Sequence, residues 1–598
     1  MTIGLISDCL GEIFKCFPDD NNTLYQCMLV NRMWCESATQ ILWKDPFAML
    51  IKKTDALSLY DNNIETEKEE REQALGLLRA FLNNLSEESR SLLTRNGIKL
   101  PPINTKKSMF DYLNFINTFD IVRFSLAVSF WLFRGGKYNS KSRFQCYLVE
   151  QEIYRILIDK CPHIIKIRCV EDLLDHDAEQ LSVFNFTYLN TSKNLFSKIR
   201  EFECSAGFTT DQIYFILSQL ITNLDTIKIR SAPEYFDDHY GLSEFIKSQH
   251  SLRNIEFIYN DKGLDDDLQY ESKEIGRALE KQFNSLIKLK IHGFQGVPFD
   301  TFRNCENLRE LSLYFVDDMP HDIEEKLIMF KFRKLSKFYV KVNSLDLSKI
   351  AKFIRHNGGK LTDIKLEIEN IVDNEQSGLI LEAVANNCPN IISFHGSIDP
   401  TNELQLRNFC KRCKKLNYLR LNFVEDRFDA YDTYDILNIL GDCAPSNIFY
   451  FILEGEWELL KVTLENFLKQ RQSIAPFKVI YIGDIGGGIK NRIDHDDSFD
   501  VDNFDSDYEG SDYSDSQYGY NNNYHHNNNN IIVNNKLYNN GLDFYHHEKF
   551  KDLNSDLDFS NDDDYDWVDS LTKYIEEGLL EIRSPLLKDT NFGLNFWI

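Results

Sequence analysis

Apolar positions along this chain follow two different periods. Over residues 6–47 they recur at helical spacing in short blocks, each opened by a capping or turn residue, which predicts a compact three-helix hairpin. Ser7 or Asp8 caps the first block, which carries Leu10, Ile13 and Phe14 on one face until Phe17, Pro18, Asp19 and Asp20 end it. Asn22 or Thr23 caps the second, with Leu24, Cys27, Met28 and Leu29 turned inward. A third helix then runs from about Met33 to Trp43, with Trp34, Ala38, Ile41 and Leu42 apolar, and Asp45 and Pro46 stop it. So small a unit buries too little surface to stand alone, so its core is expected to be completed against a neighbour.

Residues 48–160 read as a helical connector. Thr66 to Leu82 forms one amphipathic helix through Leu75, Leu77, Leu78, Phe81 and Leu82. Ser86 to Leu93 forms a second, closed by Asn96 and Gly97. Leu100, Pro101 and Pro102 break the pattern, and Phe110, Leu113, Phe115, Ile116 and Phe119 begin another apolar block.

From Cys161 the period changes. An anchor residue is followed by apolar residues at +3, +6 and +8, as in CPHIIKIRC at 161, FSKIREFEC at 196, FNSLIKLKI at 283 and CKKLNYLRL at 413. The unit also recurs at 221, 249, 305, 332, 358, 388, 445 and 474, with spacings of 22 to 35 residues. An average near 28 residues is the period of a leucine-rich repeat with one helix per unit. Positions +6 and +8 alternate inward on a short strand, +3 turns under the preceding loop, and the helix before each anchor closes the unit from outside. Such helices are visible at Asp211 to Gln219, Leu345 to Arg355, Ser377 to Asn386, Asn402 to Lys411, Tyr431 to Ile439 and Leu459 to Lys469. A doubly wound sheet would need some twelve strands in one open sheet, so residues 161–483 are expected to form a right-handed α/β solenoid.

Beyond Asp484 the pattern dissolves. Residues 484–566 hold 20 acidic and 5 basic residues, a net of -15, and include a near-homopolymeric asparagine run at Asn521 to Asn530. A segment so poor in apolar residues is expected to stay disordered. The pairs His525, His526 and His546, His547 read as solvated low complexity rather than metal ligands. Trp567 to Ile582 regains helical periodicity, so residues 567–598 are expected to contain a terminal helix.

Composition narrows the function. A net charge of -26 argues against a general nucleic-acid binder. The 13 cysteines, mostly singletons inside apolar patterns, resemble buried thiols of a reducing compartment. No basic and apolar leader is expected at the start, and the run Phe124 to Phe133 is too short to span a bilayer, so no membrane partner is expected. The Asn-x-Ser/Thr matches at Asn21, Asn185 and Asn190 therefore carry no weight.

In order and spacing, IxxCLxEIF, TLxxCxLVNRxWC and ILWxDPF over Ile6 to Phe47 resemble the F-box domain, particularly of expanded fungal F-box families. Ser7 stands where such domains usually have proline. The resemblance implies binding to a Skp-type adaptor and through it to a cullin ubiquitin ligase, in the cytoplasm or nucleus. It places the adaptor contact on Ile6, Leu10, Ile13, Phe14, Leu24, Leu29, Val30, Trp34 and Trp43, some of which serve only the hairpin core.

Chemistry of the chain's own is not expected. There is no P-loop, GxSxG or HExxH motif, Cys410 and Cys413 form a lone CxxC, and Gly486 to Gly488 reads as a turn, so neither enzyme, metal nor cofactor is expected. Function then lies in binding, and the outward positions +7 and +9 line the concave face. They bring Arg168, Lys228, Arg230, Lys290, Lys341, Lys365 and Arg420 together with Glu203, Glu256, Glu367 and Glu454, and with His292, Tyr314, Tyr339, His395 and Tyr481. This is either a locally positive groove for a protein substrate or a charged face that keeps an exposed sheet soluble. The expected function is substrate recruitment to a Skp-cullin-F-box ligase. The rival is a leucine-rich scaffold whose F-box-like segment takes no part in ubiquitin transfer.

Overall fold

The computed structural model describes residues 7–17, 20–51, 64–103, 109–133, 140–170, 193–206, 211–231, 240–259, 272–293, 298–370, 376–423 and parts of 431–482. Expectations for residues 484–566 and 567–598 lie outside them.

Helices α1 (Ser7–Phe14), α2 (Asn21–Met28) and α3 (Arg32–Leu42) make the hairpin. The second helix starts at least two residues earlier than its apolar pattern suggests, because Asp20 rather than Asn22 or Thr23 is the cap: its Oδ1 accepts from Thr23 N at 3.0 Å. Asn31 caps α3 through a 3.0 Å bond from Trp34 N. Leu10, Phe14, Leu24, Ala38 and Leu42 form the core, against which Cys27, Met28, Met33, Trp34, Ile41 and Trp43 pack.

The connector contains α4 (Ile64–Leu82), α5 (Glu87–Arg95), α6 (Ile121–Phe133) and α7 (Ser140–Lys160). Helix α6 holds the apolar run and is buried on most sides, and among the described residues no helix is long and apolar enough to cross a membrane. The connector is not wholly helical. Strand β1 (Thr118–Asp120) lies between α5 and α6 and pairs with the first expected repeat strand, β2 (Lys166–Cys169). Leu113, Ile116, Phe119 and Ile121, all buried, repeat the anchor, +3, +6 and +8 pattern, so the solenoid begins one unit earlier than the run of even spacings suggests.

The sheet continues through β3 (Glu201–Ala206), β4 (Thr226–Ser231), β5 (Asn254–Tyr259), β6 (Lys288–His292), β7 (Glu310–Tyr314), β8 (Lys337–Ser344), β9 (Asp363–Asn370), β10 (Ser393–Ile398) and β11 (Tyr418–Phe423). A two-stranded ribbon, β12 (Tyr431–Asp432) with β14 (Trp457–Glu458), stands apart, while β13 (Tyr450–Glu454) and β15 (Val479–Ile482) complete a 13-stranded sheet. Every pairing in that sheet is parallel and joins neighbours in sequence order. This is repetition along one axis, and it excludes the strand-order reversal of a doubly wound sheet.

The register keeps equivalent positions aligned. Position +6 runs unbroken from Phe119 through Ile167, Phe202, Ile227, Ile255, Leu289, Leu311, Phe338, Ile364, Phe394, Leu419 and Phe451 to Ile480. Behind the sheet, α8 (Lys193–Phe196), α9 (Asp211–Leu217), α10 (Tyr240–Lys247), α11 (Lys273–Glu280), α12 (His321–Leu327), α13 (Leu347–Asn357), α14 (Ser377–Asn387), α15 (Glu403–Arg412) and α16 (Tyr434–Cys443) line the outer side. The helix expected at Leu459 to Lys469 falls largely outside the described residues. One unit replaces its helix with the short 3-10 segment Phe299–Asn304, which fits its 22-residue spacing from anchor 283 to anchor 305.

Buried amides stitch neighbouring units together. Asn357 Oδ1 accepts from Phe332 N at 2.6 Å, while Nδ2 donates to the carbonyls of Phe330 and Phe353, both at 3.0 Å. Gln249 plays the same part, donating to Ile221 O and Phe245 O at 2.8 Å and accepting from Leu224 N at 3.1 Å. Asn357→Ala strands the buried Phe332 N–H and Phe330 carbonyl and is expected to cost about 2–3 kcal/mol. A drop in the urea midpoint measures it, and an unchanged midpoint would show that the amide holds nothing together.

Candidate functional site

The hairpin presents fewer residues than its resemblance implies. Leu10, Phe14 and Leu24 are fully buried inside it, which corrects their placement on a contact surface: three helices this short need their best apolar residues for themselves. Ile6 lies outside the described residues. Trp34 and Trp43 are half-buried, the first edge-on to Phe14 at 5.4 Å and the second against Tyr112 at 4.5 Å. What remains outward is Ile13 at 38% exposure, Val30 at 58% and Leu29 at 79%. Leu29 was expected inward, but it is the C-cap of α2, where the chain already turns away from the core. Tyr25, 48% exposed and one helical turn before Leu29, is also turned outward, on the same side as Leu29. Its spacing from Leu29 was the available signal.

The other end of the hairpin is fastened to the solenoid. Lys44 O accepts from Asn117 N and Thr118 N at 3.0 and 2.9 Å, and Phe47 packs among Phe81, Phe119 and Phe124. Arg168 Nη1 reaches Asp45 at 3.1 Å.

On the concave face, position +7 forms one row: Asp120, Arg168, Glu203, Lys228, Glu256, Lys290, Ser312, Tyr339, Lys365, His395, Arg420, Ile452 and Tyr481. Its first half alternates in sign and neutralises itself. Arg168 contacts Asp120 at 3.5 Å and Glu203 at 3.2 Å, Arg230 holds Glu203 at 2.9 Å, Lys166 lies 3.6 Å from Glu203, and Lys228 holds Glu256 at 3.0 Å. Burial pushes the Glu203 carboxyl up, but Arg168, Arg230 and Lys166 outweigh it and bring it down to about 2. Asp120 goes the other way, since burial outweighs Arg123 and Arg168 and raises it to about 6. Burial also opposes the Glu256 charge, and the hydrogen bond from His292 with the charge of Lys228 brings its pKa below the usual range.

The second half differs. Lys365 pairs with Glu367 at 2.9 Å. His395 is buried between Lys365 and Arg420, and burial followed by those two cations lowers its pKa well below the ordinary value, so it is neutral near pH 7. Lys290 and Lys341 have no carboxylate within ion-pairing distance among the described residues. Of the expected groove cations, Arg168, Lys228, Arg230 and Lys365 are thus spent on neighbouring carboxylates. Asp45 and Asp120, which take part in that neutralisation, lie before the first evenly spaced unit and were not foreseen.

Anchor thiols have no chemistry to offer. Burial raises Cys161, Cys305, Cys388 and Cys413 to about 12, and among the described residues no group of His, Cys, Asp and Glu is arranged to hold a metal.

The register and the face define a leucine-rich-repeat solenoid carrying an N-terminal helical hairpin. No protein-family model and no curated protein matches the sequence. Two solved leucine-rich-repeat structures resemble it remotely. The ectodomain of the plant membrane receptor kinase GASSHO1/SCHENGEN3 from Arabidopsis thaliana, in complex with CASPARIAN STRIP INTEGRITY FACTOR 2, aligns with 55% of this chain and 34% of its own at 11% identity and a TM-score of 0.23. The Toll-Spatzle complex from Drosophila aligns with 55% of this chain and 58% of its own at 10% identity and a TM-score of 0.18. The chain thus spans less than two thirds of the length of either.

Proposed function

We propose that this chain is a non-catalytic, substrate-recruiting subunit of a Skp-cullin-F-box ubiquitin ligase, with the hairpin holding the adaptor and the solenoid holding the protein to be modified. The observation that carries this reading is the outward exposure of Ile13, Tyr25, Leu29 and Val30 on a hairpin whose opposite end is already occupied by the solenoid. Four large apolar side chains exposed on so small a unit mark an interaction surface. The F-box-like spacing of Ile6 to Phe47 names the kind of protein that would cover it. A second reading is a leucine-rich scaffold whose hairpin merely caps the sheet, and the contacts of Lys44, Asp45 and Phe47 with the solenoid favour it.

Substitution of exposed residues separates the two without unfolding the hairpin. Leu29→Asp with Val30→Asp is expected to weaken capture of a Skp-type adaptor at least roughly thirtyfold, and to remove the cullin with it. Co-purification from cells measures both. Full capture by the double variant sinks the adaptor reading and leaves the capping one.

A further inference from the structure

We propose that the middle of the concave face, where β6, β7 and β8 lie side by side, docks an extended acidic segment of a partner protein, with Lys290 and Lys341 taking its carboxylates. The inference rests on the solenoid being the recruiting half of the molecule and needs nothing from the hairpin.

Two short rows meet here in register. Lys290, Ser312 and Tyr339 form one, and His292, Tyr314 and Lys341 the other. Glu256 is the last carboxylate of the +7 row, and from Lys290 to Tyr481 that row contains none. The self-neutralising ladder therefore stops at β5, and the next cation has lost its partner.

Lys290 is half-buried, and burial lowers its pKa even though Glu256 and Glu310 work the other way. A half-desolvated ammonium without a close counter-ion is unfavourable in the free protein, and an incoming carboxylate relieves it. Beside it, Ser312 is fully buried and its Oγ has no hydrogen-bond partner among the described residues. His292 and Tyr314 stack at 4.5 Å with only 10° between their planes, giving a flat amphipathic platform next to Lys341, which is exposed.

The neighbouring carboxylates are engaged elsewhere: Glu367, opposite Lys341 in register on β9, is held by Lys365 at 2.9 Å. Lys288 and Glu310 pair with each other at 2.5 Å, and His292 accompanies Glu256 at 3.1 Å. Asp317 and Asp318 follow β7 at its rim, where Asn343 donates to Asp318 at 3.3 Å. The cations are isolated lysines rather than the arginine fork suited to phosphate, and the strongly negative chain repels nucleic acid, so the site fits an acidic peptide best.

Geometry sets the spacing. Lys290 and Lys341 are two strands apart and two residues offset, so their Cα atoms are separated by about 12 Å. In an extended segment that span joins carboxylates three or four residues apart.

The test uses the full chain and fluorescent peptides of about ten residues, each with two glutamates separated by none to about six serines. Anisotropy is expected to report tightest binding at two or three intervening serines. Lys341→Glu is expected to weaken it at least roughly tenfold and Lys290→Gln about fivefold, with Lys331→Glu, at an exposed lysine outside the strands, unchanged. Equal binding of the glutamine analogues, or binding confined to phosphoserine analogues, overturns the proposal. So does full binding by Lys341→Glu. Because no adaptor is present, failure here leaves the ligase reading standing, and failed adaptor capture leaves this site standing.

Discussion

Leu419→Asp is expected to destabilise the repeats around β11 by about 5 kcal/mol, the largest effect of any substitution considered. Leu419 is fully buried and in register with Phe394 on one side and Phe451 on the other, so a carboxylate there has neither water nor a counter-charge. In a structure whose units touch only their neighbours, the damage should stay local. Limited proteolysis is therefore expected to cut first near residues 393–454, while β2 to β6 remain protected. Simultaneous loss of protection along the whole sheet would show one indivisible core instead.

Glu203→Gln is the second, with an expected cost of about 3–5 kcal/mol. Its carboxylate is buried and joins Arg168, Arg230 and Lys166, and replacing it removes the one negative charge that the three cations share, although Arg168 keeps Asp45 and Asp120. The pH dependence follows in sign from the same contacts. Glu203 is depressed to about 2 in the folded chain, so its contribution, on the order of 3 kcal/mol, is complete above the ordinary glutamate pKa. It is lost as pH falls from about 4.5 towards 2. Asp120, raised to about 6, acts in the opposite sense: its contribution is present below its ordinary pKa and is lost as pH rises through about 6. Urea midpoints between pH 6.5 and 3 should therefore fall more steeply for the native chain than for Glu203→Gln. Parallel curves would remove Glu203 from the ladder's energetics.

The solenoid was legible because its core is written one unit at a time. A residue at +6 touches its counterparts in the adjoining units, so the same small pattern must recur, and Phe202, Leu289 and Leu419 announce themselves without reference to anything distant. The same logic applied to the unit anchored at Leu113. Its membership is hidden in the spacing because α6 and α7 separate it from Cys161 by far more than one period, even though Leu113, Ile116, Phe119 and Ile121 keep the pattern. Helix α14 lies at Ser377–Asn387 against an expected Ser377 to Asn386, whereas the helix expected from Tyr431 to Ile439 runs from Tyr434 to Cys443, after the short strand Tyr431–Asp432.

The sites were less legible. Helical spacing groups Leu10, Ile13, Phe14 and Leu29 as apolar, but whether each faces the hairpin core or water depends on how three short helices pack. The fold buries Leu10 and Phe14 and leaves Leu29 outside. Charge counts along the concave face likewise describe only which residues are near a row. Hydrophobic period, unit length and the facing of strands are local properties, and the order of residues along the chain was enough to determine them. Which lysine is left without a carboxylate is a property of distance between strands. Only the register, which sets Arg168 between Asp120 and Glu203 and carries Asp45 from the hairpin to meet it, could show that the positive charge survives at Lys290 and Lys341 and is cancelled before them.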